Sequence, residues 1–124
     1  MTIPDAKTLR QKKCLPCEGG VQPMSEEKTK DYLKVLEGWE LGANRISIHK
    51  TYIMKNFLAA VQFINKIAEV AEGEDHHPDI HLTGYRKLTI ELSTHAIKGL
   101  SENDFILASK IDALPKDLKQ KSPA

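Results

Sequence analysis

Residues 56–71 read Asn56-Phe57-Leu58-Ala59-Ala60-Val61-Gln62-Phe63-Ile64-Asn65-Lys66-Ile67-Ala68-Glu69-Val70-Ala71, and this stretch decides the fold. Phe57, Ala60, Val61, Ile64, Ile67, Ala68 and Ala71 recur at the i, i+3, i+4, i+7 spacing that lines apolar side chains along one face of an α-helix, with Asn56 placed to open it. Such a stripe needs a second layer to cover it. Pro78 requires the helix to have ended, because it biases His77 away from helical backbone and offers no donor of its own.

Downstream of Pro78 the period changes from helical to two. Ile80 and Leu82, then Leu88, Ile90 and Leu92 beyond Gly84, alternate with polar neighbours and predict two strands joined as a hairpin. Upstream, Trp39–Leu41 and Arg45–Met54 predict a second hairpin around Gly42-Ala43-Asn44, with Ile46, Ile48 and Tyr52 in phase. A helix capped by Ser25, acidic in its first turn and carrying Tyr32, Leu33 and Leu36, runs toward Gly38. Another starts at Ser101, where Ser101-Glu102-Asn103-Asp104 resembles a capping box, and carries Phe105, Ala108, Ile111 and Leu114 to Pro115.

The predicted fold is α+β: a two-layer α-β-β-α-β-β-α domain with a four-stranded antiparallel sheet and three helices on one face. An open sheet face or edge favours self-association. The predicted organisation is a flexible, Pro/Gly-rich arm over residues 1–24, a domain over 25–115 and a frayed, Lys-rich tail over 116–124.

A chain of 124 residues fits one domain of ordinary size. With 40% hydrophobic and 28% charged residues it has a globular composition, and its net charge of +1 argues against a bulk electrostatic partner such as DNA or an anionic membrane. No apolar run approaches the ~20 residues of a membrane span, and the first twenty residues lack a secretory signal, so a cytoplasmic protein is expected. The only cysteines form Cys14-Leu15-Pro16-Cys17. Two thiolates cannot complete a structural zinc shell, and the Pro/Gly-rich setting is not that of a redox motif, so they read as reduced thiols on the arm.

Chemistry concentrates elsewhere. Four of five histidines fall between positions 76 and 95, in Glu74-Asp75-His76-His77-Pro78-Asp79-Ile80-His81 and at the end of Leu92-Ser93-Thr94-His95. Paired imidazoles can supply a protonated acid and a neutral base together, which is what removal of water requires. By strand parity His95 points away from the helix-packed core, and the hairpin through Gly84 can return it toward His76 and His77. The structural alternatives are that His76 and His77 satisfy terminal carbonyls of the helix, that Asp104 is only the capping-box acid, and that His49 and His81 are surface residues. Glu74, His76, His77, Asp79 and His81 supply ligand types for a metal, but Pro78 and the alternation after it remove the helical spacing zinc would use. No phosphate-binding Gly loop or nucleophile elbow is present.

Asp75-His76-His77-Pro78, Tyr85, Leu92-Ser93-Thr94-His95, Gly99-Leu100-Ser101-Glu102-Asn103-Asp104 and Leu107-Ala108-Ser109 together resemble the pterin-4a-carbinolamine dehydratases, and Gly38-Trp39 and Asn56-Phe57 extend the likeness across residues 25–115. The resemblance implies dehydration of 4a-hydroxytetrahydropterin to quinonoid dihydropterin, in tetrahydrobiopterin recycling, with no metal and no bound cofactor. It implies His76, His77 and His95 as active-site histidines supported by Asp104. It also implies a pterin site lined by Asp75, His76, His77, Ser93, Thr94, His95 and Ala96, with Trp39 nearby. Proton transfer is assigned to His76 and His95, and binding to His77. The hairpin around Gly84 is a residue longer than in some members, which would bear on the pocket wall. A homodimer or homotetramer is expected, with no direct nucleic-acid contact and no membrane. Some animal members are also dimerisation cofactors for a homeodomain transcription factor, and a non-catalytic interaction module is the alternative function.

Overall fold

In the computed structural model, which describes residues 4–15 and 22–120, the elements follow the order α1 (Ala6–Gln11), α2 (Glu26–Leu33), β1 (Glu40–Leu41), β2 (Ile48–Ile53), α3 (Phe57–Glu74), β3 (Asp79–Thr83), β4 (Lys87–Leu92), a 3₁₀ turn (His95–Ile97) and α4 (Glu102–Ala113). The four strands form one antiparallel sheet in the order β1-β2-β4-β3. Its register sets Lys50 beside Ile90 beside Ile80, and Tyr52 beside Leu88 beside Leu82. Ile48, Tyr52, Leu88, Ile90 and Leu92 turn into a core shared with Phe63, Ile67, Phe105, Leu107 and Ile111 of the helices. The opposite face carries exposed Asp79, His81, Thr51 and Lys87, so the α+β layering read from the sequence is the observed one.

Within that plan the apolar stripe of α3 is rotated from the expected one. Ala60, Phe63, Ile67 and Ala71 are buried, whereas Phe57 and Ala68 are exposed. Two apolar stripes compete on this helix, and the one that contains Phe63 buries an aromatic ring edge-on to Tyr52, with centroids 5.1 Å apart. The first hairpin also differs. Strand β2 starts at Ile48 rather than Arg45, because the Asn44 side chain accepts hydrogen bonds from the Ile46 N–H and the Ser47 hydroxyl and holds the chain in a longer turn, with Arg45 at φ 61°.

The largest departure lies in the arm. Residues 4–15 are not an extended, loosely attached segment: Asp5 caps α1 by accepting from the Thr8 N–H, and Leu9 is fully buried where α1 packs on α4. The cause is α4 itself. Residues Asn103 to Ser109 and Ile111 are all buried, so this helix is apolar on more than the sheet side, and a helix apolar all round must be covered all round. Tyr32 of α2 contributes to the cover, with its ring 5.0 Å from that of Phe105. The tail also differs from the frayed reading as far as Lys119, since Asp117 C=O accepts from the Lys55 N–H and Lys119 N–H donates to Ile53 C=O. Cys17, Gly19 and Gly20 lie outside the described residues.

Candidate active site

Helix α3 ends in a Schellman motif. Asp75 takes left-handed backbone (φ 51°), its N–H donates to Glu72 C=O, and the N–H of His76 reaches back to Ala71 C=O. The reversal turns His76 toward the start of α4. There, Ser101 and Asp104 form the capping box, with the Ser101 side chain accepting from the Asn103 N–H and Asp104 Oδ2 accepting from the Ser101 N–H at 3.0 Å.

Asp104 is more than a cap. Its Oδ2 also accepts from the Thr94 hydroxyl at 2.8 Å, and its Oδ1 lies 2.7 Å from His76 Nε2. The side chain of Asp104 is completely buried and that of His76 is 11% exposed. A buried carboxylate is costly unless its lone pairs are matched, and here three donors and the positive end of a twelve-residue helix supply the match. Because a carboxylate only accepts, the proton of this contact sits on His76 Nε2, and in the neutral imidazole Nδ1 is then the nitrogen with a lone pair.

Around this pair the structure opens a cleft of about 360 Å³, lined by Asp75, His76, His77, Ser93, Thr94, His95 and Ala96, together with Cys14, Leu15, Glu74 and Asn103. The three histidines expected to act together are thus brought to one cavity. They are held differently. His77 is half exposed and its Nε2 lies 2.8 Å from Glu72 Oε1, an exposed carboxylate one turn back on α3. His95 is exposed at the first position of the 3₁₀ turn, beyond the last paired residue of β4. Thr94 is buried, and its hydroxyl goes to Asp104 and Ser101 rather than into the cleft.

Trp39 is not brought to the cleft. It is buried, with Nε1 donating to Asp112 Oδ2 at 2.9 Å, in a cluster where Lys50 and Tyr52 also bind Asp112. Burial, and then the Asp112 carboxylate, push the Tyr52 hydroxyl far above its usual value, so it stays a neutral donor there. The Gly84 turn is remote as well, since the paired residues Thr83 and Lys87 place it at the opposite end of the hairpin from Asp79 and Glu91, and none of residues 84–86 lines the cavity. Of the residues offered for a metal, His81 lies on the open sheet face, and no group of three His, Cys, Asp or Glu among the described residues is arranged to hold an ion.

Sequence reading missed Cys14, Leu15, Asn103 and Glu72. Asn103 adjoins Asp104 in the capping box, which was a usable signal. The unbroken apolar run Phe105-Ile106-Leu107-Ala108 was another, because it demands a cover on the side away from the sheet.

The protein is a small layered α+β domain whose cleft gathers three histidines, one of them held by a buried aspartate. Comparison with known proteins is specific. Residues 22–114 match the family model for pterin 4 alpha carbinolamine dehydratase. The chain is 50% identical over 107 residues to a putative pterin-4-alpha-carbinolamine dehydratase of Nitrosomonas eutropha, covering 86% of this chain and 92% of the relative. It is 42% identical over 117 residues to the mitochondrial pterin-4-alpha-carbinolamine dehydratase 2 of Arabidopsis thaliana, covering 91% of this chain and 63% of that one. A crystal structure described as a transcriptional coactivator/pterin dehydratase from Brucella melitensis superposes with a TM-score of 0.70 at 30% identity, over 74% of this chain and 97% of that one. The chain belongs to the pterin-4a-carbinolamine dehydratase family, enzymes of the hydro-lyase class. No helix among the described residues is long and apolar enough to cross a membrane.

Proposed function

We propose that the cleft dehydrates 4a-hydroxytetrahydropterin to quinonoid dihydropterin and water, with His76 and His95 transferring protons and His77 binding and orienting the substrate. The observation that carries this reading is the contact between His76 Nε2 and the fully buried carboxylate of Asp104. As the N5 lone pair forms the C4a=N5 bond, the C4a–O bond breaks, the departing oxygen takes a proton and leaves as water, and the N5 proton passes to a base. Asp104 fixes the His76 tautomer so that Nδ1 is the accepting nitrogen, and it stabilises the imidazolium that results. His95, which lines the same cleft and is open to solvent, is the proton donor and can be reprotonated from water. Positioned proton transfer of this kind is worth about 10²–10⁴-fold each.

The test is to mix the protein with 4a-hydroxytetrahydropterin and follow formation of the quinonoid product by absorbance. Acceleration over the uncatalysed rate that His76→Ala abolishes would support the reading. A protein that leaves the uncatalysed rate unchanged would overturn it.

A further inference from the structure

Two of the residues lining the cleft, Cys14 and Leu15, come from the arm, outside residues 22–114 that match the family model. The arm is fastened at this point on both sides. The Cys14 N–H donates to Glu74 Oε2 at 3.2 Å, and Glu74, two residues before His76, is itself mostly buried and paired with Lys110 at 3.3 Å. On the other side the Asn103 side chain grips the Leu15 backbone twice: Oδ1 accepts from the Leu15 N–H at 2.9 Å and Nδ2 donates to the Leu15 C=O at 2.6 Å. Further back, Lys12 Nζ meets Glu102 at 3.0 Å and Leu9 is fully buried. The segment therefore bridges the end of α3, which supplies His76, and the start of α4, which supplies Asp104.

One side chain does not fit a purely structural account of this bridge. Leu15 is 72% exposed, yet its backbone is held by both amide groups of a nearly buried asparagine. A fixed backbone under an exposed leucine at the wall of a cleft presents a fixed apolar surface to whatever enters the cleft. The other cleft groups include polar ones at His76, His77, Ser93 and His95, which suit the edges of a flat heterocycle, and among the lining residues Ala96 is the apolar one outside the arm.

We propose that residues 12–15 form a strap closing one side of the cleft, in which Leu15 covers a face of the pterin ring and Asn103 is the positioning residue that holds it there. This rests on the function proposed above. The clamp and the dyad share one helical turn, since Asn103 holds the strap and Asp104 holds His76, so ring face and proton acceptor are set by a common frame.

The test measures kcat and KM for 4a-hydroxytetrahydropterin, and by calorimetry the binding of 7,8-dihydropterin, which lacks the 4a-hydroxyl and cannot be dehydrated. Removing an isopropyl group covered on one side by a ring weakens binding about tenfold. Leu15→Ala should therefore raise both KM and the dihydropterin Kd about tenfold while kcat changes much less and thermal stability is kept. Asn103→Ala should do the same, and the double variant should be no worse than the weaker single one, because Asn103 acts through Leu15. If Asn103→Ala unfolds, Asn103→Asp keeps the acceptor, loses the donor and serves the same comparison. Wild-type KM and Kd in Leu15→Ala, or losses that multiply in the double variant, would overturn the strap alone. A wild type that neither binds the dihydropterin nor turns over the carbinolamine would overturn the functional reading and the strap with it.

Discussion

Replacing Asp104 by Asn separates the electrostatic role of this residue from its shape. The amide fits the same space, and its oxygen can still accept from the Thr94 hydroxyl and the Ser101 N–H, now as a neutral group. That leaves Nδ2, a donor, facing His76 Nε2 across 2.7 Å. Two donors cannot face each other, so the imidazole must accept at Nε2 and carry its proton on Nδ1, the nitrogen assigned to the substrate. The base is then blocked, and kcat should fall about 10²–10⁴-fold. Stability should fall less dramatically. Charge-assisted hydrogen bonds exceed neutral ones by about 1 kcal/mol each, so two retained bonds weakened in this way cost about 2 kcal/mol, or about 6–10 °C in Tm for a domain of this size. Turnover by absorbance, Tm by circular dichroism and the His76 tautomer by imidazole ¹⁵N shifts read the three effects separately. A kcat within about threefold of wild type, with the tautomer switched, would refute the assignment of His76 Nδ1 as proton acceptor.

Other outcomes follow from the same geometry. His76→Ala and His95→Ala should each lower kcat about 10²–10⁴-fold, whereas His77→Ala should chiefly raise KM; equal mild effects with lost Tm would make all three structural. Leu9→Ala leaves a cavity under α1 and should cost about 2–5 kcal/mol in denaturant unfolding, an outcome excluded if the segment is a free arm. Burial alone would raise the Glu102 carboxyl, but the Tyr32 hydroxyl and Lys12 bonded to it outweigh burial and hold it below its ordinary value. Its contribution to stability is therefore complete above the unfolded value and lost as pH falls through the lower folded one, so Glu102→Gln should flatten the acid limb of a Tm-against-pH curve.

Local signals carried the fold where each residue had one job. Pro78 ended a helix, Gly84 marked a turn, and Ile80, Leu82, Leu88, Ile90 and Leu92 alternated as a two-faced sheet must. They failed where tertiary packing chose between equals. Nothing in residues 56–71 says whether Phe57 or Phe63 faces inward, since both lie on apolar stripes, and Tyr52 across the layer decides it. The arm was misread for a related reason. A six-residue helix with one leucine has almost no periodicity to detect, and the information about it resides in the uncovered face of α4, ninety residues away. At the site, the residue types were legible because imidazole and carboxylate chemistry is recognisable in sequence. The partners were not: that the Thr94 hydroxyl binds Asp104, or that Asn103 grips Leu15, depends on contacts between segments distant in sequence.

The three histidines differ in freedom, and that difference agrees with the roles proposed for them. His76 is held by a 2.7 Å contact to a fully buried carboxylate, so little orientation has to be found when a ligand arrives. Among the described residues His77 is tied to Glu72, whose own side chain is 78% exposed, and a polar contact in water holds a ring loosely. A group that must accept a proton at one atom gains most from fixed geometry, whereas a group that recognises the edge of a ligand can adapt to it. The cost of fixing His76 falls on α4, because Asp104 is at once the acid of the capping box and the anchor of the ring. Fold and chemistry cannot therefore be optimised independently at position 104. Any side chain there that improves the cap but cannot accept from Nε2 releases the histidine, so the helix start is constrained by the reaction as well as by its own hydrogen bonds.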